Sequence, residues 1–369
     1  MNVSRVAKLT KDLVDIRSES AGDGEGEVSK YISTYLKEIG IKSKTISFGK
    51  HRSNVVVEIG EGEGLMLNGH TDTVPIGDPS KWKYGTSAHI ANGRVYGRGA
   101  SDMKGGIAAI LAALETASLR EPKRRLLLAF VGDEERNLEG SRCLLSRYKS
   151  LFNGVRWGVI AEPTDLHICI AQKGIVEFSI TVTGKAAHSS QPWLGRNAIT
   201  DTAKAIDALS MLQSQFKTHD RVLGSGTINI GRISGGIAAN VVPEKCKFEA
   251  DRRLVPGEDA HTAINQIKVA LKRLPIYYKM RVTVSQMPYS LPRNSFIARY
   301  LKSLTGREFA GVYGYTEARL YKDIADIDCA VFGPGTLKGI HGPNEFVRVS
   351  DLEKGTMYYS RIINQWLMG

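Results

Sequence analysis

Leu126–Val131, reading LLLAFV, is a continuous apolar run that ends directly on Gly132-Asp133-Glu134-Glu135. An uninterrupted apolar strand is covered on both faces, as in a parallel sheet flanked by helices. The acidic triplet then falls where open α/β sheets bind their ligands, beyond a strand's carboxyl end. The same grammar continues outward in both directions. Asn54 to Ile59 (NVVVEI), Leu65 to Leu67 and Gly158 to Ala161 read as further strands. Between them Ile107, Ile110, Leu111 and Leu114 recur at helical spacing over 107–119. Strands alternating with amphipathic helices predict a doubly wound α/β domain.

From Gly174 the pattern changes. Val176, Phe178, Ile180 and Val182 alternate with polar residues, which predicts a strand with one wet face. A helix follows with Ile199, Ala203, Ile206 and Leu209 on one side, then strands over 227–232 and 245–252, a helix over 258–274 and a strand over 279–285. The order β-α-β-β-α-β is that of a ferredoxin-like α+β unit. After Ser290 the α/β grammar returns, with Phe296, Tyr300 and Leu304 on a helix, a strand over 329–332 and a last helix over 352–367. The expected organisation is a catalytic domain in two pieces, 1–173 and 290–369, interrupted by an inserted domain over 174–289. A chain of 369 residues accommodates two domains of ordinary size.

Composition fits a soluble globular protein, 42% hydrophobic and 24% charged. No apolar run approaches bilayer-spanning length. The N-terminal stretch is polar and helix-periodic (Val6, Leu9, Leu13, Ile16) and lacks the apolar core of a secretory signal. Cys143, Cys169, Cys246 and Cys329 lie apart in apolar elements and form no C-x-x-C pair, so they read as buried thiols of a reducing, cytoplasmic compartment. The net charge of +12, from 50 basic and 38 acidic residues, attracts an anionic partner in principle. The basic residues are scattered, however, or grouped in short runs such as Lys123-Arg124-Arg125. Without a basic-aromatic stripe or nucleic-acid motif, neither a nucleic-acid nor a membrane partner is expected.

The chemistry sits at the strand ends. His70 follows the strand at 65–67, Glu134 and Glu135 follow 126–131, Glu162 follows 158–161, His341 lies in the loop after 329–332, and Asp102 stands at the start of a helix. Imidazole and carboxylate are zinc donors. Two zincs bring four positive charges; Asp102, Glu135 and Glu162 supply three negative charges and a bridging hydroxide the fourth. That balance avoids a buried net charge and leaves Glu134 free to act as a base. Taken singly, each residue has a plainer reading: Asp102 as a helix cap, Glu134-Glu135 as a solvated turn, His341 as a surface histidine, Asp72 as a turn residue.

Together, HTDTVP (70–75), GRGASDMKGG (97–106), the DEE triplet, AEPTD (161–165) and HGPNE (341–345) resemble the ArgE/DapE/aminoacylase/glutamate-carboxypeptidase family of zinc metallohydrolases, and the resemblance spans nearly the whole chain. It implies a catalytic domain interrupted by a lid that often dimerises. It also implies two divalent metals, zinc or alternatively cobalt or manganese. His70 and Glu162 would hold one, Glu135 and His341 the other, and Asp102 would bridge them, followed by a cis peptide to Met103. Asp72 would orient His70, and Glu134 would be the general base. In the lid, GKAAHSSQP points to His188 as an oxyanion donor and ISGGIAANVVPE to Asn240 as a substrate contact. DRRLVPGE points to Arg253, with Arg252 as the neighbouring alternative, as the grip on a substrate carboxylate. Gly314, Thr316 and Gly335 would line the rim of the site.

The expected activity is removal of an N-acyl group from an amino acid or diamino acid, of the succinyl-diaminopimelate desuccinylase or acetylornithine deacetylase kind. A dipeptidase or carboxypeptidase of the same family is the alternative, and a metal-stabilised binding protein without turnover a distant one. VGDEERNLEGS lacks the glycine that often follows the triplet, and GYTEARLY matches neither the desuccinylase nor the deacetylase wording. The acyl group therefore stays open.

Overall fold

The computed structural model describes residues 4–20, 22 and 24–369, in two compact units. The first comprises the described residues up to Ile170 with Leu291–Ala310 and Thr316–Gly369; the second is Ala171–Ser290 with Gly311–Tyr315. Residues 311–315, expected in the returning catalytic segment, thus cluster with the inserted unit, because Gly311 packs on Leu223 and Lys173 donates its amide to the Val312 carbonyl.

In the first unit the strands run in the order Lys44–Gly49, Arg52–Ile59, Arg125–Val131, Gly64–His70, Val155–Ile160, Asp328–Val331 and Ile168–Gln172. The four from Arg125–Val131 to Asp328–Val331 are mutually parallel; the flanking strands pair antiparallel. Register aligns their carboxyl ends, with His70 opposite Val131, Asn68 opposite Ile160, and Ile160 opposite Val331. Helices cover both faces. Successive strand residues point oppositely: Asn68 bonds Tyr321 of the Ala318–Ala325 helix, whereas Gly69 lies against Ile107 of the Lys104–Thr116 helix. The latter helix packs between Arg5–Asp15 and the C-terminal Val349–Met368. At Gly106 an added Cβ would come 2.1 Å from the Ala161 carbonyl oxygen, so only glycine lets this helix start against the strand rim.

The second unit is ferredoxin-like. Its four-stranded antiparallel sheet runs Thr227–Gly235, Lys245–Leu254, Gly174–Thr183, Tyr277–Gln286. Val176, Phe178, Ile180, Val182 and Phe248 form one apolar face, which packs with Leu209 of the Ala198–Gln213 helix and Ile267 of Ala260–Lys272.

All four cysteines are buried and unpaired by disulfides. No described helix is long and apolar enough to cross a membrane. The 123–125 basic run is not a free patch: Arg125 donates to the carbonyls of Leu151 and Asn153 and to Glu58, and Arg124 lies over the Trp366 ring.

Beneath the parallel strands lies a buried polar cluster. Asn68 Nδ2 donates to Tyr321 Oη at 3.0 Å, Tyr321 Oη and Ser141 Oγ are 3.2 Å apart, and Ser141 donates to Glu317 Oε1. Asn68 Oδ1 and Glu317 Oε2 are buried without a donor. A proton on Glu317 Oε2 would turn an unsatisfied acceptor into a donor, and burial pushes the carboxyl up to about 7 despite the Ser141 hydrogen bond. A carboxyl whose folded pKa exceeds its unfolded value binds its extra proton in the folded state. The stability it contributes is complete below about pH 4.5 and is lost as pH rises through about 7. Glu317→Gln supplies a permanent N–H donor. At pH 8 the metal-free variant should be more stable than wild type by up to about 3 kcal/mol, converging with it near pH 4.5, as read by urea unfolding. A variant less stable at both pH values would contradict the neutral-carboxyl account.

Candidate active site

The residues at the strand ends of the first unit converge on Asp102. His70, the last residue of Gly64–His70, is fully buried, and its Nε2 lies 3.0 Å from Asp102 Oδ1 and 3.6 Å from Glu162 Oε1. His341 Nε2 lies 3.1 Å from the other oxygen, Asp102 Oδ2, and 3.3 Å from Glu135 Oε1. Each Asp102 oxygen therefore faces its own imidazole. Two donor groups result, His70–Asp102–Glu162 and Asp102–Glu135–His341, each with its ligand atoms within 4.8 Å of one another. Both could hold a metal ion. Asp102 does not cap its helix: Met103 is the N-cap residue, and the Asp102–Met103 peptide is cis.

Charged groups behind the site hold these side chains in place. Asp133, the first acid of the triplet, has φ +66°, a left-handed turn stabilised by its own carboxylate accepting from the amides of Asn137 and Glu139. Glu25 accepts the Asp133 amide at 2.8 Å, and Arg52 pairs with both Glu25 and Asp133. On the other side Asp72 accepts the amides of Glu134 at 3.0 Å and Glu135 at 3.1 Å. The turn is thus held from both sides, fixing where Glu134 and Glu135 project. Asp72 meets His70 through its main-chain oxygen, 2.9 Å from His70 Nδ1, whereas its carboxylate stands 3.7 Å away, beyond hydrogen-bond range. The carboxylate is occupied with the triplet amides and Ser20.

Electrostatics show what the cluster lacks. Burial pushes Glu134 and Glu162 well above the ordinary carboxyl range, and neighbouring carboxylates add to the shift. Burial opposes charge on His70, but Glu162 and Asp102 outweigh it and raise the imidazole well above its ordinary value. The hydrogen bond to Asp102 and the facing Glu135 carboxylate raise His341 to about 10. Burial alone would raise Asp102, yet the two imidazoles hold it well below the usual carboxylate range. Glu135 Oε1 is buried without an aligned donor. So many acids around two imidazoles, one acid with an oxygen that has no aligned donor, fit divalent cations, which invert local pKa preferences.

The other sequence-derived residues fall as follows. Thr316 is buried, and its hydroxyl accepts the Ala318 amide at the start of the Ala318–Ala325 helix. Gly335 has φ +97°, and a Cβ there would come 2.6 Å from Ser101 Oγ, so glycine is required beside Asp102. His188, Asn240, Arg253 and Gly314 belong to the second unit. There His188 bridges to Val241, the Ser189 amide donates to the Asn240 carbonyl, and the exposed His188 ring bonds Ser190 Oγ at 2.8 Å. Arg252 and Arg253 lie on opposite sheet faces. Arg252 is buried, pairs with Glu258 and stacks on Phe216, while Arg253 is partly exposed and forks onto Asp251 at 2.9 Å.

Five positioning residues escaped the sequence reading: Glu25, Arg52, Asp133, Arg98 and Glu345. Arg98 and Glu345 stood inside quoted motifs, GRGAS and HGPNE, and a charged residue beside a candidate ligand was the available signal.

Comparison with known proteins agrees with this geometry. The model of "Peptidase family M20/M25/M40" matches residues 66–365. An acetylornithine deacetylase of Aliivibrio fischeri is 30% identical over 366 residues, covering 96% of this chain and 95% of the relative. A probable succinyl-diaminopimelate desuccinylase of Staphylococcus aureus is 29% identical over 403 residues, covering 96% and 97%. The crystal structure of a tripeptidase from Staphylococcus aureus superposes with a TM-score of 0.80 at 22% identity over the full length of both chains. A match across most of the sequence, carried by strand ends that gather histidines and carboxylates around Asp102, makes this chain a member of the M20/M25/M40 peptidase family and a metal-dependent hydrolase of C–N amide bonds.

Proposed function

We propose that the protein is a two-metal deacylase that releases an N-acyl group from an amino acid or diamino acid bearing a free carboxylate. The observation that carries the reading is the division of Asp102, one oxygen towards His70 and the other towards His341, beside a Glu134 that belongs to neither donor group. In it His70 and Glu162 would hold one divalent ion, Glu135 and His341 the other, and Asp102 would serve both; zinc suits this set of imidazole and carboxylate donors. When bound, such ions polarise the amide carbonyl and ease deprotonation of water.

The chain's own residues do the rest. Glu134 takes the proton of the attacking water and returns it to the leaving nitrogen. Its raised pKa in the metal-free site reflects burial first, the condition under which a carboxylate becomes a stronger base. The Asp72 carboxylate keeps Glu134 in register through the amide hydrogen bonds of the turn. His188 is assigned to the developing oxyanion and Asn240 to the substrate, supported by their shared loop pairing. Arg253 is assigned to the substrate carboxylate, since its guanidinium is the more exposed of the pair, and a substrate carboxylate would compete with Asp251 for its fork. The two relatives named as a deacetylase and a desuccinylase support an acyl amino acid over a peptide as substrate.

Glu134→Gln should retain wild-type metal content and lose at least about 10²-fold in kcat, measured by metal analysis alongside turnover; unchanged turnover would remove Glu134 from the base role. A panel of N-acetyl, N-succinyl and unblocked dipeptide substrates tests the class. The expected result is a higher kcat/KM for an N-acyl amino acid, and a preference for dipeptides would replace the deacylase reading with a peptidase one.

A further inference from the structure

We infer that the buried Arg98–Glu345 ion pair is a positioning clamp for the second cation position, tying the Asp102 main chain to the His341 loop. The inference rests on the two-metal reading above. Glu345 Oε1 accepts the amides of Ser101 at 3.0 Å and Asp102 at 3.1 Å, while its Oε2 accepts from Arg98 Nη1 at 2.6 Å. Arg98 Nη2 donates to the carbonyls of His341 and Pro75, both at 3.2 Å. Glu345 is 3% exposed and Arg98 7%. One guanidinium and one carboxylate, both out of water, thus touch the backbone of two residues 239 apart in sequence, and those residues carry the imidazole and the carboxylate of one donor group.

The two cation positions differ in what else supports them. His70 sits within the parallel ladder, the next amide, Thr71, donates to the Val131 carbonyl at 2.7 Å, and the Ala161 amide beside Glu162 donates to Asn68 at 2.9 Å. Sheet hydrogen bonds fix the main chain around His70 and Glu162, and only Asp102, common to both positions, leans on Glu345 there. His341 has no such ladder. It lies in a loop, with φ +62° and a half-exposed side chain. Its carbonyl is held by Arg98, and the Asp102 amide it must face is held by Glu345. Removing either member leaves a buried charge and frees the loop, so the loss should fall far more heavily on the Glu135–His341 position, where both His341 and Asp102 are held by the clamp, than on the His70–Glu162 position, where only Asp102 is. Neither residue is a catalytic group; both act through the main chain of their neighbours.

The test is titration of metal-free full-length protein with Zn²⁺ by calorimetry, and with Co²⁺ by visible absorption. Wild type should bind two equivalents. Arg98→Lys keeps a cation beside Glu345 but loses the planar fork that also reaches the His341 carbonyl. Glu345→Gln keeps an acceptor for the two amides but loses the charge facing Arg98. In each, the second equivalent should weaken at least about tenfold, the scale expected for groups that orient ligands, while the first stays within about twofold of wild type. Equal weakening of both equivalents, or of neither, overturns the clamp, as does loss of the fold in both variants, which would make the pair a general stability element. Wild-type protein that binds a single equivalent would overturn the two-metal reading itself.

Discussion

The structure depends on one carboxylate shared between two imidazoles. Asp102 presents one oxygen to His70 and the other to His341, at 3.0 and 3.1 Å. The other carboxylates of the two donor groups arrange themselves around that axis. Glu162 lies on the His70 side and Glu135 on the His341 side. Bringing these charges out of water is costly unless cations enter with them, and the upward shifts of Glu134 and Glu162 have that burial as their first cause. Burial of Glu134 favours its protonated form, so the same desolvation makes its carboxylate the stronger proton acceptor.

Around this axis the fold places its charged residues behind the ligands as well as among them. The Glu25–Arg52–Asp133 network and the Asp72 carboxylate grip the turn that carries Glu134 and Glu135. Arg98 and Glu345 grip Asp102 and His341. Such groups are rarely buried without partners, and here their partners are backbone amides and carbonyls of the reacting loops. Stability and positioning therefore draw on the same contacts.

Much of this was legible in the chain itself, and the reason is physical. Parallel strands announce themselves as apolar runs such as 126–131, and the ligand rule for open sheets then nominates whatever polar residue follows each run. His70, Glu134, Glu135 and Glu162 were found in that way. The alternation of Val176, Phe178, Ile180 and Val182 likewise marked the start of the ferredoxin-like unit. What stayed hidden has no period. The bond from Arg98 to Glu345 spans 247 residues, and that from Asn68 to Tyr321 spans 253, so no local pattern records either. Asp72 does face His70, through its main-chain oxygen, but the triplet amides that its carboxylate meets come from a turn 62 residues downstream, which no local pattern records. The clustering of 311–315 with the second unit was hidden for the same reason, since it depends on Leu223 and Lys173.

The central claim is that Asp102 is shared by two cations. Anomalous X-ray diffraction at the zinc edge, from crystals grown with zinc, tests it most directly. The account predicts two peaks per chain, each about 2 Å from a different Asp102 oxygen, one completed by His70 and Glu162 and the other by Glu135 and His341. A single peak, or two peaks of which either lies outside Asp102's reach, would contradict it.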